Sequence, residues 1–397
     1  MKQKFILICD YGIELGLYCT LFFFVQFPIY PLYYQSFGTS ISVFFWIIKS
    51  LLEHRLVYKH YSWNIWILIF NVFIWLSLLW SINVNQPVWF SLVFTTGSIS
   101  MIIFSSCFNK KSQVIRILCL LFLFGSYFAF NILRQNIDTM LRITNSYLSL
   151  KEALVFRKLV FDRVISSMGG TNSTGGLFAL PVALLLPILI YGFRTNKSMR
   201  NGKNFIWTTF VWKLILQIIG YISLILLVIV VLMSGSRGAM LGLVFSLLLI
   251  FMIGNRWFTN LIFGQVLVLA SIIPFTRLLL SNTYANIVDE SRFVIWFNSI
   301  EIIKLVPFTG IGLRNFPIAY QYFFNENYNH AHNIFLNIAI ELGIPGLILF
   351  VALAFSLIYY GIIYAKRQKD PFFYAVNVGF VSLVFGFLVR CLVDYTI

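Results

Sequence analysis

Two histidines separated by one residue, His330 and His332 in the stretch HAHN, directly precede a long apolar run in a chain that has only four histidines. A neutral imidazole is the side chain best suited to take a proton from a hydroxyl near neutral pH. Arginines recur through the same half of the chain: Arg237 in SGSRGA, Arg292 in ESRF and Arg314 in GLRNF. Their positive charge disfavours the imidazolium and keeps a nearby ring available as a base. Each guanidinium also offers a planar fork that matches phosphate oxygens. Arg237 follows Ser236, a favoured helix-capping type, and so stands where the first backbone N–H groups of a helix already attract an anion. Together these residues suit an anionic substrate such as a lipid diphosphate, with a histidine to activate a hydroxyl.

Other polar residues support this set. Asn333, Asn337 and Glu341 recur at four-residue intervals, a polar stripe on a helix that is otherwise apolar. Glu341 falls roughly 12 Å below the helix start, a depth at which an ionisable group is costly. The stretch SSMGGTNSTGG, which contains Asn172, is rich in glycine and hydroxyl groups and suits backbone donation to phosphate or sugar. Plainer readings stand beside these. The histidines would share one side of an extended segment and could bind a metal, but no third ligand at a recognisable spacing accompanies them, so no metal is expected. A histidine could merely cap the helix, Arg237 could snorkel to headgroups, and Arg292 could pair with Asp289 or Glu290.

The elements that carry these residues belong to a membrane. The chain of 397 residues is 60% hydrophobic and only 11% charged, less than half the charged share of a soluble protein. The net charge of +16 would suggest nucleic acid in a soluble chain. Here the Lys and Arg fall mainly between apolar runs, so membrane topology is the reading and no nucleic acid is expected. Five cysteines without CxxC spacing read as small apolar residues. The amino terminus lacks a cleavage site and contains Asp10 and Glu14, so it reads as an anchor helix.

Apolar runs of about 20 residues place spans at 11–33, 38–52, 64–82, 87–107, 114–133, 174–193, 208–233, 238–255, 258–276, 334–364 and 372–393. The expected fold is all-α, a polytopic integral membrane protein of about 11 transmembrane helices. It divides into amino-terminal helices (1–133), a first long loop (134–173), central helices (174–276), a second long loop (277–332) and carboxy-terminal helices (333–397). With Met1 inside, every inside connection is basic: Arg55 and Lys59, Lys110, Lys111 and Arg116, Arg194 to Lys203, Arg256, and Lys366 to Lys369. The two long loops and the Arg237 turn then lie outside. Within the second loop, Phe293, Trp296, Phe297, Ile300, Ile303 and Lys304 follow helical spacing, which predicts an amphipathic helix along the outer leaflet, ended by Pro307 and a Gly310–Gly312 turn.

SGSRGA around Arg237, the run Ser291–Phe316 and HAHNIFLNIAIELGIPGLILF from His330 to Phe350 resemble the O-antigen ligase and polymerase superfamily of bacterial membrane glycosyltransferases. The GGTN of Gly169–Asn172 is a weaker match. The likeness is clearest over 165–393, while the earlier helices match only in hydropathy. The resemblance implies a multi-pass bacterial inner-membrane enzyme with a cytoplasmic amino terminus and both long loops periplasmic. It would transfer a glycan from undecaprenyl diphosphate to an acceptor hydroxyl by a metal-independent, inverting reaction that needs no cofactor. By position, Arg237 and Arg292 would hold the diphosphate with Arg314 as helper, and His332 would be the base with His330 as its competitor. Ser236, Asn333, Asn337, Glu341 and Asn172 would support them. The expected acceptor is lipid A core, which makes a ligase. A second lipid-linked glycan would make a polymerase, and a protein hydroxyl an oligosaccharyltransferase. Family members usually continue through one further span after the segment matching 373–395, which implies a shortened carboxy-terminal end here. A lipid-linked glycan transporter is the reading from another class; it predicts paired charges within the membrane and repeat symmetry between halves.

Overall fold

The computed structural model describes residues 2–26, 31–108, 110–146, 171–192, 203–254 and 285–393. Their regular structure is entirely helical. Helices α1 (Lys2–Gln26), α2 (Pro31–Glu53), α3 (Asn64–Leu76), α4 (Asn85–Cys107) and α5 (Lys111–Ser146) come first. After them come α6 (Thr171–Pro187), α7 (Lys203–Met233), α8 (Arg237–Gly254), α9 (Ala285–Leu305), α10 (Phe316–Phe324), α11 (Ile334–Arg367) and α12 (Pro371–Arg390).

Among the described residues, six helices are long and apolar enough to cross a membrane: Pro87–Cys107, Lys111–Gln135, Thr174–Gly192, Leu214–Met233, Ile334–Arg367 and Pro371–Arg390. Asn64–Trp80 and Arg237–Ile253 are shorter apolar helices. The sequence leads one to expect eleven spans. The one at 258–276 lies outside the described residues, the one at 11–33 overruns the end of α1 at Gln26, and the one at 38–52 falls within α2. Helix α5 continues past its apolar part to Ser146, so the first long loop begins as helix.

The chain folds as two compact units, each described by itself: Met1–Leu121 with Ile287–Leu357, and Phe122–Asn286 with Ile358–Ile397. In the first unit α1 and α2 approach closely because both carry glycine at the contact. A Cβ on Gly16 would lie 2.6 Å from the Gly38 carbonyl oxygen, and one on Gly38 equally near the Gly16 oxygen. Such small-residue contacts let apolar helices associate without a hydrophobic driving force. The same helices hold ion pairs that helical spacing alone did not reveal. Lys49 Nζ lies 2.6 Å from Asp10 Oδ1, and Arg116 grips the buried Glu14 with both Nε (2.5 Å) and Nη2 (2.8 Å). Asn71 on α3 donates to Ser98 on α4 at 2.7 Å and accepts from Thr95 at 3.1 Å.

Helix α11 organises the rest of this unit. It bends at Gly343, whose backbone (φ 71°, ψ 178°) lies in a region essentially restricted to glycine. Pro345 has no N–H, so the Glu341 carbonyl has no helical donor. The turn that follows α9 supplies one: Gly312 N–H donates to Glu341 O at 2.8 Å and Ile311 N–H to Ile340 O at 3.0 Å, while Ile344 N–H reaches Pro307 O at 2.7 Å. This backbone exchange leaves no room for a side chain at the bend. A Cβ on Gly343 would sit 2.6 Å from Phe308 O, and one on Gly310 2.5 Å from the Glu341 backbone. Gly343→Ala is expected to destabilise the fold by on the order of 3 kcal/mol, read as a lowered thermal midpoint in detergent. Before the bend α11 is buried continuously from Asn337 to Gly343; after it Ile344, Ile348, Val351 and Phe355 form an exposed apolar stripe at helical spacing.

Helices α9 and α10 pack on the first part of α11 through Ile295, Ile302, Ile311, Phe316, Ala319, Tyr320, Ala331 and Ile340. The amphipathic helix expected from the sequence exists and ends before Pro307, but its buried face is Ile295, Ser299 and Ile302. Phe293, Phe297 and Ile300, read as one apolar stripe, are exposed, as is Leu305. The helix is apolar on two sides.

In the second unit α6 packs against α7, α8 and α12, and α8 against α12. Helices α8 and α12 cross at Gly242 and Gly386, where a Cβ on either would lie 2.5 Å from the other's carbonyl oxygen. Ser246 Oγ donates across this contact to Ser382 O at 2.8 Å.

Candidate functional site

The first unit holds most of the residues singled out in the sequence. Asn333 caps α11: its Oδ1 accepts the N–H groups of Phe335 (2.9 Å) and Leu336 (3.2 Å). A side-chain cap of this kind is worth about 1 kcal/mol. The cap is therefore asparagine, not histidine, and a capping residue directly before an apolar run is a signal that sequence reading can use. The residues just before the cap form a tight turn. Ala331, which is fully buried, is clamped from both sides: its N–H donates to Asn337 Oδ1 at 3.2 Å and its carbonyl accepts from Trp296 Nε1 at 2.9 Å. Two side chains thus hold the backbone between the two histidines.

The histidine rings lie 4.3 Å apart, edge to face, and both residues are half-buried. They share a side, as expected, but through a turn and not an extended segment, because His332 has φ 52°. His332 N–H donates to His330 Nδ1 at 3.3 Å. That contact occupies the acceptor nitrogen of neutral His330 and leaves its Nε2 to carry the proton, a donor. Nδ1 of His332 is buried. Among the described residues, no group of three His, Cys, Asp or Glu side chains is placed to share a metal ion.

Arg292 sits on α9 one helical turn before Trp296, the residue that holds Ala331. Its guanidinium-bearing side chain is half-buried. Asp289 and Glu290, its alternative partners in the sequence reading, have side chains outside the described residues. Arg314 adopts φ 60° in the turn leading into α10 and lays its guanidinium 4.1 Å from the centre of the Phe90 ring on α4. Two non-glycine residues in left-handed backbone, Arg314 and His332, therefore stand at the two candidate turns. Each costs about 1–2 kcal/mol, a cost the surrounding hydrogen bonds must offset.

The rest of the polar stripe explains how. Asn337 and Glu341 are both almost completely buried. Asn337 holds Ala331, and the Glu341 carboxyl group lies against the backbone of Arg314 and Phe316 and the Asn337 side chain, with its Oε1 buried and without a hydrogen-bond partner. A neighbouring residue that the sequence reading missed, Asn315, donates from Nδ2 to Ser81 Oγ (2.7 Å), Asn83 O (3.2 Å) and Ile311 O (3.0 Å), tying the loop before α4 to the Arg314 turn. Below it Tyr320 stacks on Phe316 and accepts from Asn298 at 2.8 Å; burial pushes its phenol pKa up, so the hydroxyl stays neutral.

The second unit holds Ser236 and Arg237. Ser236 caps α8 through a 3.2 Å hydrogen bond from Ala239 N–H, and Gly235 makes the preceding turn with φ 62°. Arg237 is the first helical residue, as the sequence led one to expect, and is exposed. Asn172 lies at the start of α6, with its side chain outside the described residues. The glycine-rich stretch around it works differently from expectation at its described end. Gly175 and Gly176 are inside α6, where Gly175 admits the Ser234–Ser236 turn and Gly176 admits the guanidinium of Arg390. Close helix packing, not a loop, is what these glycines allow. Arg390, at the end of α12 and buried, is a cation the sequence reading passed over.

The family model described as O-antigen ligase matches residues 222–351. No curated protein matches the chain significantly. The matched stretch contains Ser236, Arg237, Arg292, Arg314, the histidine pair, Asn337 and Glu341, and the match supports the resemblance to the O-antigen ligase and polymerase superfamily.

Proposed function

We propose that the protein is a glycosyltransferase that moves a glycan from undecaprenyl diphosphate to the hydroxyl of lipid A core, an O-antigen ligase, at the periplasmic face of the inner membrane. The observation that carries this reading is the clamped turn at Ala331, which fixes two half-exposed imidazoles beside the helix that bears Arg292. In this reading His332 Nε2 takes the proton of the acceptor hydroxyl. The acceptor oxygen attacks the anomeric carbon, the bond to the diphosphate breaks, and the configuration inverts. Undecaprenyl diphosphate leaves with its charge stabilised by guanidinium groups. Arg292 and Arg314 are such anchors, and Arg237 at the α8 amino terminus is another candidate. His330, with its Nδ1 engaged by His332 N–H, serves as a donor and not as the base. The amino terminus is cytoplasmic, and the exposed apolar face of α9 rests on the outer leaflet.

The test is transfer in detergent with purified protein, an undecaprenyl-diphosphate glycan and two competing acceptors. Product on lipid A core is the expected result. A lengthening ladder on the lipid carrier would make the protein a polymerase instead. Added chelator is expected to leave the rate unchanged, and inhibition reversed by a divalent ion would overturn the metal-independent mechanism. The ion pairs Asp10–Lys49 and Glu14–Arg116 favour the transporter as a second reading. They lie outside the family-matched stretch, and a transporter in detergent would yield no covalent product.

A further inference from the structure

We infer that Glu341, acting through Asn337, is the positioning residue that locks the Arg314 turn and the histidine turn into one geometry; this rests on the transfer reading above. The two turns are 18 residues apart in the chain, separated by α10, and both are bonded to α11. Glu341 is 2% exposed and Asn337 1%, so neither serves a solvated face. Asn337 spends its oxygen on Ala331 N–H and turns its amide to Glu341. The buried Glu341 carboxyl group in turn faces the backbone N–H groups of Arg314 and Phe316, with its Oε1 left without a hydrogen-bond partner, and its own backbone carbonyl receives Gly312 N–H at 2.8 Å.

One residue thus binds the Arg314 turn twice, through side chain and through main chain, and binds the histidine turn through one intermediary. Both turns carry their functional residue in left-handed backbone, φ 60° at Arg314 and φ 52° at His332. Strained backbone persists only where its surroundings over-determine it, and the Asn337–Glu341 pair supplies determinants to both. Neither residue needs to touch a substrate to matter. An anchoring guanidinium and a base displaced by about 1 Å would lose on the order of 100-fold in rate.

The chemistry of the pair suggests a test that a merely structural role would not pass. Asn337→Asp keeps the oxygen that accepts Ala331 N–H but faces one carboxylate with another. Glu341→Gln keeps an acceptor for the Arg314 turn but turns an amide toward an amide. Combined, Asn337→Asp with Glu341→Gln restores a donor opposite an acceptor between the two side chains. With purified full-length protein in detergent, each single variant is expected to lose about 100-fold in kcat while still folded. The double variant is expected to recover to within about threefold of wild type, as coupled residues do.

Wild-type kcat in Glu341→Gln would overturn the inference. So would a folded double variant as slow as the singles, or single variants whose activity falls only in step with the amount of folded protein. His332→Ala, assayed alongside, separates the two levels. Normal transfer there would sink the site itself, whereas a dead His332→Ala with an unaffected Glu341→Gln would remove only the positioning role.

Discussion

His332→Ala is expected to lower glycan transfer by at least 100-fold, within the 10²–10⁴ range that a positioned general base typically contributes, while expression and membrane insertion stay normal. The backbone of the turn is held at Ala331 by Trp296 and Asn337 and at Asn333 by the helix cap, so the imidazole can be removed without releasing the turn. Alanine can adopt the φ of 52° at this position, though less readily than histidine. The folded state therefore loses little beyond ring contacts. His330→Ala is the informative comparison. Its ring accepts the His332 N–H at 3.3 Å and packs edge to face on the partner ring, so its loss is expected to slow transfer less than the loss of His332. The measurement is kcat on purified variants with donor and acceptor saturating. If His330→Ala were the more damaged of the two, the roles assigned to the rings would be reversed.

Arg237→Lys is expected to reduce kcat/KM for the lipid diphosphate donor by about 30- to 150-fold, the equivalent of about 2–3 kcal/mol for lost charge-assisted hydrogen bonds. Lysine keeps the charge at the α8 amino terminus but not the planar fork that engages two phosphate oxygens together. The local fold is expected to survive, because the cap comes from Ser236 and the turn from Gly235, with Arg237 itself exposed. Comparing Arg237→Lys with Arg237→Ala separates the two contributions: equal losses mean that geometry matters and bare charge does little. Near-normal kinetics in the lysine variant would remove Arg237 from the diphosphate site. Salt-dependent loss with an unchanged kcat would point to headgroup contact instead.

Much of the helical architecture was legible in the sequence because it depends on neighbours a few residues apart. Apolar runs mark α4, α5, α6, α7, α11 and α12, Pro307 follows the end of α9, and Ser236 begins α8. Each of these follows from hydropathy, a missing N–H or a short side-chain bond, and none needs a distant partner. The polar stripe Asn333, Asn337, Glu341 was legible as a pattern, but its purpose was not. Spacing shows three polar side chains on one helix face; it does not show that the first caps the helix, the second holds Ala331 and the third receives the Arg314 turn.

What the sequence determined by itself was the set of candidate polar and charged side chains and most of the helical segments that carry them, since both are written in residue type and in short-range periodicity. Tertiary structure alone decided which carbonyl freed by Pro345 would find Gly312, which glycine would make room for Arg390, and which acid would pair with Lys49 or Arg116. It also decided that Ile295, Ser299 and Ile302 form the face of α9 that packs. Those partners lie from about thirty to more than two hundred positions away in the chain. Hydrogen bonds and close contacts act over a few ångströms of space, whatever the separation in sequence, so only the folded chain could choose them.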